Sequence, residues 1–166
     1  MNQQLAYILG TLKFATSAIV NLIYWLIHIY KLKKALSSRK EIISRTKTIA
    51  DARLEMSKFI WTKDKPFDWF PWPITIIARE LHDDCDGAAL YGKWLFKLLG
   101  MKSNIYRLSG KNTNHAICVT KDEEYMVTND ILIHVKAFMK NYSFDTLEEF
   151  ILEWFRNKYT TITKMW

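Results

Sequence analysis

The chain has 166 residues, 49% hydrophobic and 14% aromatic, with only five glycines and three prolines; this excludes a disordered tail, a collagen-like repeat and a Gly/Pro-rich linker. That length suits one compact domain with an appendage and is too short for two large ones. Twenty-four basic against seventeen acidic residues leave a net charge of +7, and two cysteines cannot build a disulfide framework, so a reduced setting is expected.

From Phe14 to Tyr30 there is no Lys, Arg, Asp or Glu. Leu5, Ile8, Leu9, Leu12, Ile19, Leu22, Ile23, Leu26, Ile27 and Tyr30 recur at helical spacing on one face. The opposite face, with Gly10, Thr11, Ser17, Asn21, Trp25 and His28, is half polar. Lys13 interrupts the run, which falls short of the roughly 20 apolar residues of a spanning helix. With no basic residue ahead of Leu5 and no small-x-small site behind, it does not read as a secretory signal. Three readings stay open: a membrane span, a helix lying in the interface, or an arm packed on protein.

Residues 31–65 hold eleven basic and four acidic side chains, a net of +7, so the remaining chain, with thirteen of each, is neutral. Such a stripe is either a solvated face or an attractor of anionic surfaces. If the apolar run spans, the cluster from Lys31 to Lys40 holds the following domain on the cytoplasmic side. A membrane or protein-assembly contact through residues 5–60 is therefore expected. No nucleic-acid motif accompanies the stripe, and Trp69, Trp72, Trp154 and Trp166 lack the interleaved basic residues of a stacking platform, so they read as core or interface aromatics.

Ser37-Ser38 is expected to break or bend the first helix, and Ile42, Ile43, Ile49, Ala50, Leu54 and Ile60 continue a second helical pattern. Thr62 to Pro73, with its run Phe67-Asp68-Trp69-Phe70-Pro71-Trp72-Pro73, reads as a connector. It divides an apolar and basic helical arm, 1–62, from a second domain, 63–166. Ile74 to Leu81 reads as a short helix or turn, and Cys85 to Leu99 as a helix stopped by Gly100. Ser103 to Leu108 and Ala116 to Thr120 alternate as strands around the turn Ser109-Gly110-Lys111-Asn112. Glu124 to Val135 is a third strand region interrupted at Asn129-Asp130. Asp145-Thr146-Leu147-Glu148 has the form of a capping box, before a helix burying Leu147, Phe150, Ile151, Trp154 and Phe155. The fold class is α+β.

Cys85 lies at the first turn of its predicted helix, where orphan N–H groups and the helix dipole favour a thiolate and offer donors to an oxyanion. Asp83, Asp84 and Asp86 push the other way, so they must cap the helix or pair elsewhere if Cys85 is a nucleophile. A thiolate needs a base, and the base an orienting partner. His115 opens one strand and Asp130 ends the next, which completes a feasible triad. Against this stand plainer readings: an inert cysteine at a helix start, Cys118 as a small core residue, and His82 and His134 as surface or packing residues.

The run Asp84-Cys85-Asp86-Gly87-Ala88-Ala89-Leu90, followed by Leu98-Leu99-Gly100-Met101-Lys102-Ser103, resembles the catalytic helix of the transglutaminase-like superfamily. Asn114-His115-Ala116-Ile117-Cys118-Val119 is similar to its H-A-x-V strand, and Tyr125-Met126-Val127-Thr128-Asn129-Asp130 to the strand ending in its aspartate. Trp72-Pro73-Ile74-Thr75 resembles the lead-in of the bacterial transglutaminase-like cysteine proteinase branch.

The resemblance implies a papain-like core, a catalytic helix packed on a small antiparallel sheet. It implies acyl transfer through a thioester on Cys85, with His115 as base then acid and Asp130 holding His115, on a peptide or protein substrate. Water as acceptor makes a peptidase or amidase; an amine makes a cross-linker. No cofactor or metal is implied, and although His82, Asp83, Asp84 and Asp86 could hold calcium, capping is their expected job. The glycine that precedes the family's Asp-Cys pair is absent, Asn129 could orient the imidazole instead of Asp130, and the short block before His115 implies a small or open cleft. A catalytically idle module of the same fold, acting at a membrane surface or in an assembly, is the alternative. Either fits a cytoplasmic place, the cytoplasmic side of a membrane, or a larger particle.

Overall fold

The computed structural model describes residues 3–63, 71–111, 113–156 and 158–165, with side chains from residue 15 onward. Three helices lead: α1 (Gln3–Ile27), α2 (Ile29–Arg45) and α3 (Ile49–Met56). A two-residue strand β1 (Ile60–Trp61), helix α4 (Pro73–Ala78) and a second short strand β2 (His82–Asp83) precede α5 (Cys85–Leu98). Strands β3 (Ser103–Ser109), β4 (Asn114–Thr120), β5 (Tyr125–Thr128) and β6 (Ile131–His134) follow, then α6 (Val135–Tyr142), α7 (Leu147–Trp154) and β7 (Thr161–Lys164).

The main sheet is antiparallel with strand order β6-β5-β4-β3-β7. Its period-two alternation sends Ala116 and Cys118 to one side and Ile117 and Val119 to the other. The first side receives α5, through Ala88, Ala89, Tyr91, Leu95 and Phe96. The second receives α6 and α7, through Val135, Phe150 and Ile151. Both faces of β4 are therefore covered, and this mixed α/β molecule holds two cores in three layers.

Local chemistry explains most element ends. Gly100 takes φ +74°, a conformation other residues resist, and stops α5 as expected. Thr48 starts α3 by accepting a hydrogen bond from Asp51 N while Asp51 Oδ2 accepts from Thr48 N. Asn129-Asp130 forms the tight turn between β5 and β6, with Thr128 paired to Ile131 and Asn129 at φ +48°.

Three expectations are corrected. The first helix breaks at His28, where the chain bends by 107°, and Ser37-Ser38 lies inside α2. Ile60 belongs to β1, which pairs in parallel with β2, and not to the preceding helix. The N-cap is Thr146, one residue later, and no capping box forms there: Thr146 Oγ1 accepts from Glu149 N, but Glu149 Oε2 accepts from Asp145 N, the residue ahead of the cap. Ala52, Met56 and Phe59 are buried with α5, and Arg53 Nε donates to Leu132 O in β6. Helix α6, with Val135, Phe138, Met139 and Tyr142 at helical spacing, and strand β7 were not anticipated. Of the connector, residues 64–70 lie outside the described residues; Pro73 opens α4, where its missing N–H costs nothing.

Candidate active site

Strands β1 and β2 deliver the chain to α5. Ile60 N donates to Leu81 O and Thr62 N to Asp83 O, while Glu80 and Leu81 take left-handed φ of 57° and 63° to turn out of α4. Side chains rarely accept that conformation, so this turn is held by its surroundings.

Cys85 is the first residue of α5 and is half-buried against the core on the α5 side of the sheet. The carboxylates of Asp83 and Asp84 are engaged in local bonds. Asp84 is the N-cap, its Oδ1 accepting from Asp86 N at 3.0 Å. Asp83 is fully buried; its Oδ2 accepts from Arg79 Nη1 at 2.9 Å and its Oδ1 from Asp84 N at 2.9 Å. Gly87 makes room for it, since a Cβ there would stand 2.5 Å from Asp83 Cγ. Among the described residues there is no cluster of three or more His, Cys, Asp or Glu side chains placed to hold a metal ion.

His115 is 9% exposed near the start of β4. Its ring lies on the side of the strand that carries Ile117 and Val119, edge-on to Phe155 at 5.2 Å and stacked on Tyr159 at 6.1 Å. Nε2 stands 2.8 Å from Thr128 Oγ1. Burial, helped by the positive charge of Lys158, pushes its pKa down to about 4, so at neutral pH the imidazole is uncharged and a weaker base than a solvated histidine.

Asp130 is exposed in the β5–β6 turn. Strands β4 and β5 pair through Cys118 with Val127 and Val119 with Met126, and Asp130 lies beyond the end of β5. Among the described residues the ring is bonded to neither Asp130 nor Asn129 but to Thr128. Asn129 Oδ1 is buried and has no hydrogen-bond partner among them.

Cys85 packs on the α5 side of the sheet, whereas the His115 ring and Tyr159 lie on the opposite side. Tyr159 is 5% exposed, and its phenol pKa is raised first by burial, while Thr113 lowers it and the charge of Cys85 raises it. Its ring stacks on the imidazole of His115. Thr128, Phe155 and Tyr159 were missed from the sequence; the only signal was a cluster of aromatics ahead of a β-branched run at 160–163.

The other named residues have structural work. Cys118 is fully buried and its thiol is pushed up to about 12 by burial. His134 caps α6 through Nδ1 and stands 3.3 Å from Glu124. Trp154 packs on Phe138 and Phe150; Trp69 and Trp166 lie outside the described residues. A cavity of about 650 Å³ opens between α2, α3 and α4, lined among others by Lys34, Arg45, Glu55 and Arg79, and neither Cys85 nor His115 lines it. In comparisons with known proteins, no family model matches the chain and no curated protein matches it significantly.

Proposed function

We propose that the chain is a transglutaminase-like cysteine hydrolase of papain-like architecture, cleaving an amide or peptide bond through a thioester on Cys85. The observation that carries this reading is the position of Cys85 at the first turn of α5, with Asp84 spent as cap and Asp83 paired to Arg79. His115 takes the thiol proton as the sulfur attacks the carbonyl carbon. The start of α5 supplies N–H donors and dipole to the oxyanion. The amine then leaves with the proton from His115, and water, deprotonated by the same imidazole, releases the acid. Thr128 orients the ring at rest, and Asp130 is assigned the stabilisation of the imidazolium once formed.

The test is turnover of a panel of fluorogenic peptide and amide substrates by the full chain. Cys85→Ala is expected to abolish it, and His115→Gln to reduce it by about 10²–10⁴-fold. A second reading is favoured by one observation: the imidazole is bonded to a hydroxyl, not a carboxylate, as in a site no longer under catalytic demand. A chain that binds its partner equally well with Cys85→Ala and turns over none of the panel would be the idle module.

A further inference from the structure

Helix α1 is mounted with its polar side inward. Ser17 and Asn21 are 2% and 0% exposed. Asn21 Oδ1 accepts from Trp72 N at 2.9 Å and from Thr75 Oγ1 at 2.8 Å, and Asn21 Nδ2 donates to Ser17 O at 2.7 Å. Trp25, on the same stripe, packs on the core. The apolar stripe faces outward: Ile19, Leu22, Ile23, Leu26 and Ile27 are 49–77% exposed. In water this is the wrong way round, since apolar area left exposed forgoes about 25 cal/mol per Å². A row of five such residues is a surface that awaits a cover.

We propose that this face of α1 docks on an anionic lipid bilayer, the helix lying along the interface with its apolar stripe among the acyl chains. Charge selects this occupant. The stripe runs without a charged residue to Tyr30, and then Lys31, Lys33, Lys34, Arg39 and Lys40 follow. Lys33, Arg39 and Lys40 are exposed, and Lys31 Nζ lies 5.9 Å from the centre of the exposed Tyr30 ring. An aromatic and a basic cluster at the end of an apolar stripe match the headgroup layer and its negative potential. A second copy would cover the apolar stripe equally well but would bring a second excess of positive charge beside the first. No single described helix is long and apolar enough to cross a membrane, and the 107° bend at His28 turns α2 away from the line of α1. An in-plane helix satisfies both observations. The inference is independent of the chemistry at Cys85.

The test is flotation of the full chain with phosphatidylcholine vesicles containing about a third phosphatidylglycerol, against phosphatidylcholine alone. Partition is expected to be at least about tenfold stronger with the anionic lipid and to weaken with salt. Lys33→Gln is expected to weaken it by about fivefold. Leu22→Glu with Leu26→Glu, both on the exposed stripe, is expected to abolish partition without lowering the thermal midpoint. Should that pair disturb folding, a bimane label on Leu26→Cys in a Cys85→Ser background is expected to shift to the blue on vesicles, and one on the exposed Ala50→Cys not to shift. Absence of flotation, flotation kept by the double variant of unchanged midpoint, or an unshifted label at position 26 would overturn the proposal. So would a lipid-free dimer dispersed by the same substitutions in a chain that does not float.

Discussion

His115 Nε2 and Thr128 Oγ1 lie 2.8 Å apart across neighbouring strands, so a hydroxyl, not a carboxylate, fixes the resting orientation of the imidazole. A buried ring held this way carries no charge at neutral pH, and its consequences are measurable.

The first is a pH dependence of stability. The pKa of His115 is lowered from 6.5 to about 4, by burial first and Lys158 second. Between those values the unfolded chain binds more protons, so stability rises with pH there; it is fully present above about 6.5 and lost as pH falls through about 4. The loss is up to about 3 kcal/mol from this one group. Thermal unfolding of His115→Gln is expected to lack that component, and an unchanged profile would assign it to another residue.

Cysteine reactivity is the second. Cys118 is fully buried with its thiol pushed up to about 12, whereas Cys85 is half-buried at a helix start. Iodoacetamide at mildly acidic pH is expected to modify Cys85 alone in the folded chain and both thiols in denaturant, as read by peptide mass spectrometry. Equal, slow labelling would leave no activated thiol. Cys85→Ala is expected to keep the unfolding free energy within about 0.5 kcal/mol of wild type.

Thr128→Val and Asp130→Asn separate orientation from charge. Thr128→Val removes the only hydrogen bond seen on the ring among the described residues and is expected to cost about 1 kcal/mol of stability. Asp130 is exposed, so Asp130→Asn is expected to leave stability unchanged and lower kcat with KM intact. An Asp130→Asn enzyme with full kcat would remove this aspartate from the mechanism.

Glu55 supplies a stability test away from the site. It is 1% exposed; Arg45 grips it twice, Nε to Oε1 at 2.7 Å and Nη2 to Oε2 at 2.8 Å, and Lys58 reaches only Oε1. The hydrogen bond to Glu55 is the main reason the Arg45 pKa is raised. Arg45→Met is expected to destabilise by about 3 kcal/mol, because a buried carboxylate loses most of its compensation. Lys58→Met is expected to cost about 1 kcal/mol or less in chemical denaturation.

Local rules carried the reading furthest where a residue's job is done by its neighbours in the chain. Gly100 ends a helix because only its own φ matters, and β4 alternates because each residue turns its side chain away from the last. Helix α6 and strand β7 escaped because each is short, and β7 owes its form to pairing with β3 across some fifty residues. Thr128 escaped as the histidine's partner because a carboxylate-seeking reading passes over a threonine.

The amino-acid order alone determined that the excess charge lies in one segment, that α1 has one apolar and one half-polar face, and that Cys85 begins a helix ahead of the strands bearing His115 and Asp130. Tertiary structure decided which face of α1 turns outward, that α3 belongs to the core, and that the imidazole of His115 packs on Phe155 and Tyr159. The reason is physical. Periodicity says that a helix has two unlike sides, but which side is covered depends on partners such as Trp72 and Thr75, which reach Asn21 only when the chain has folded.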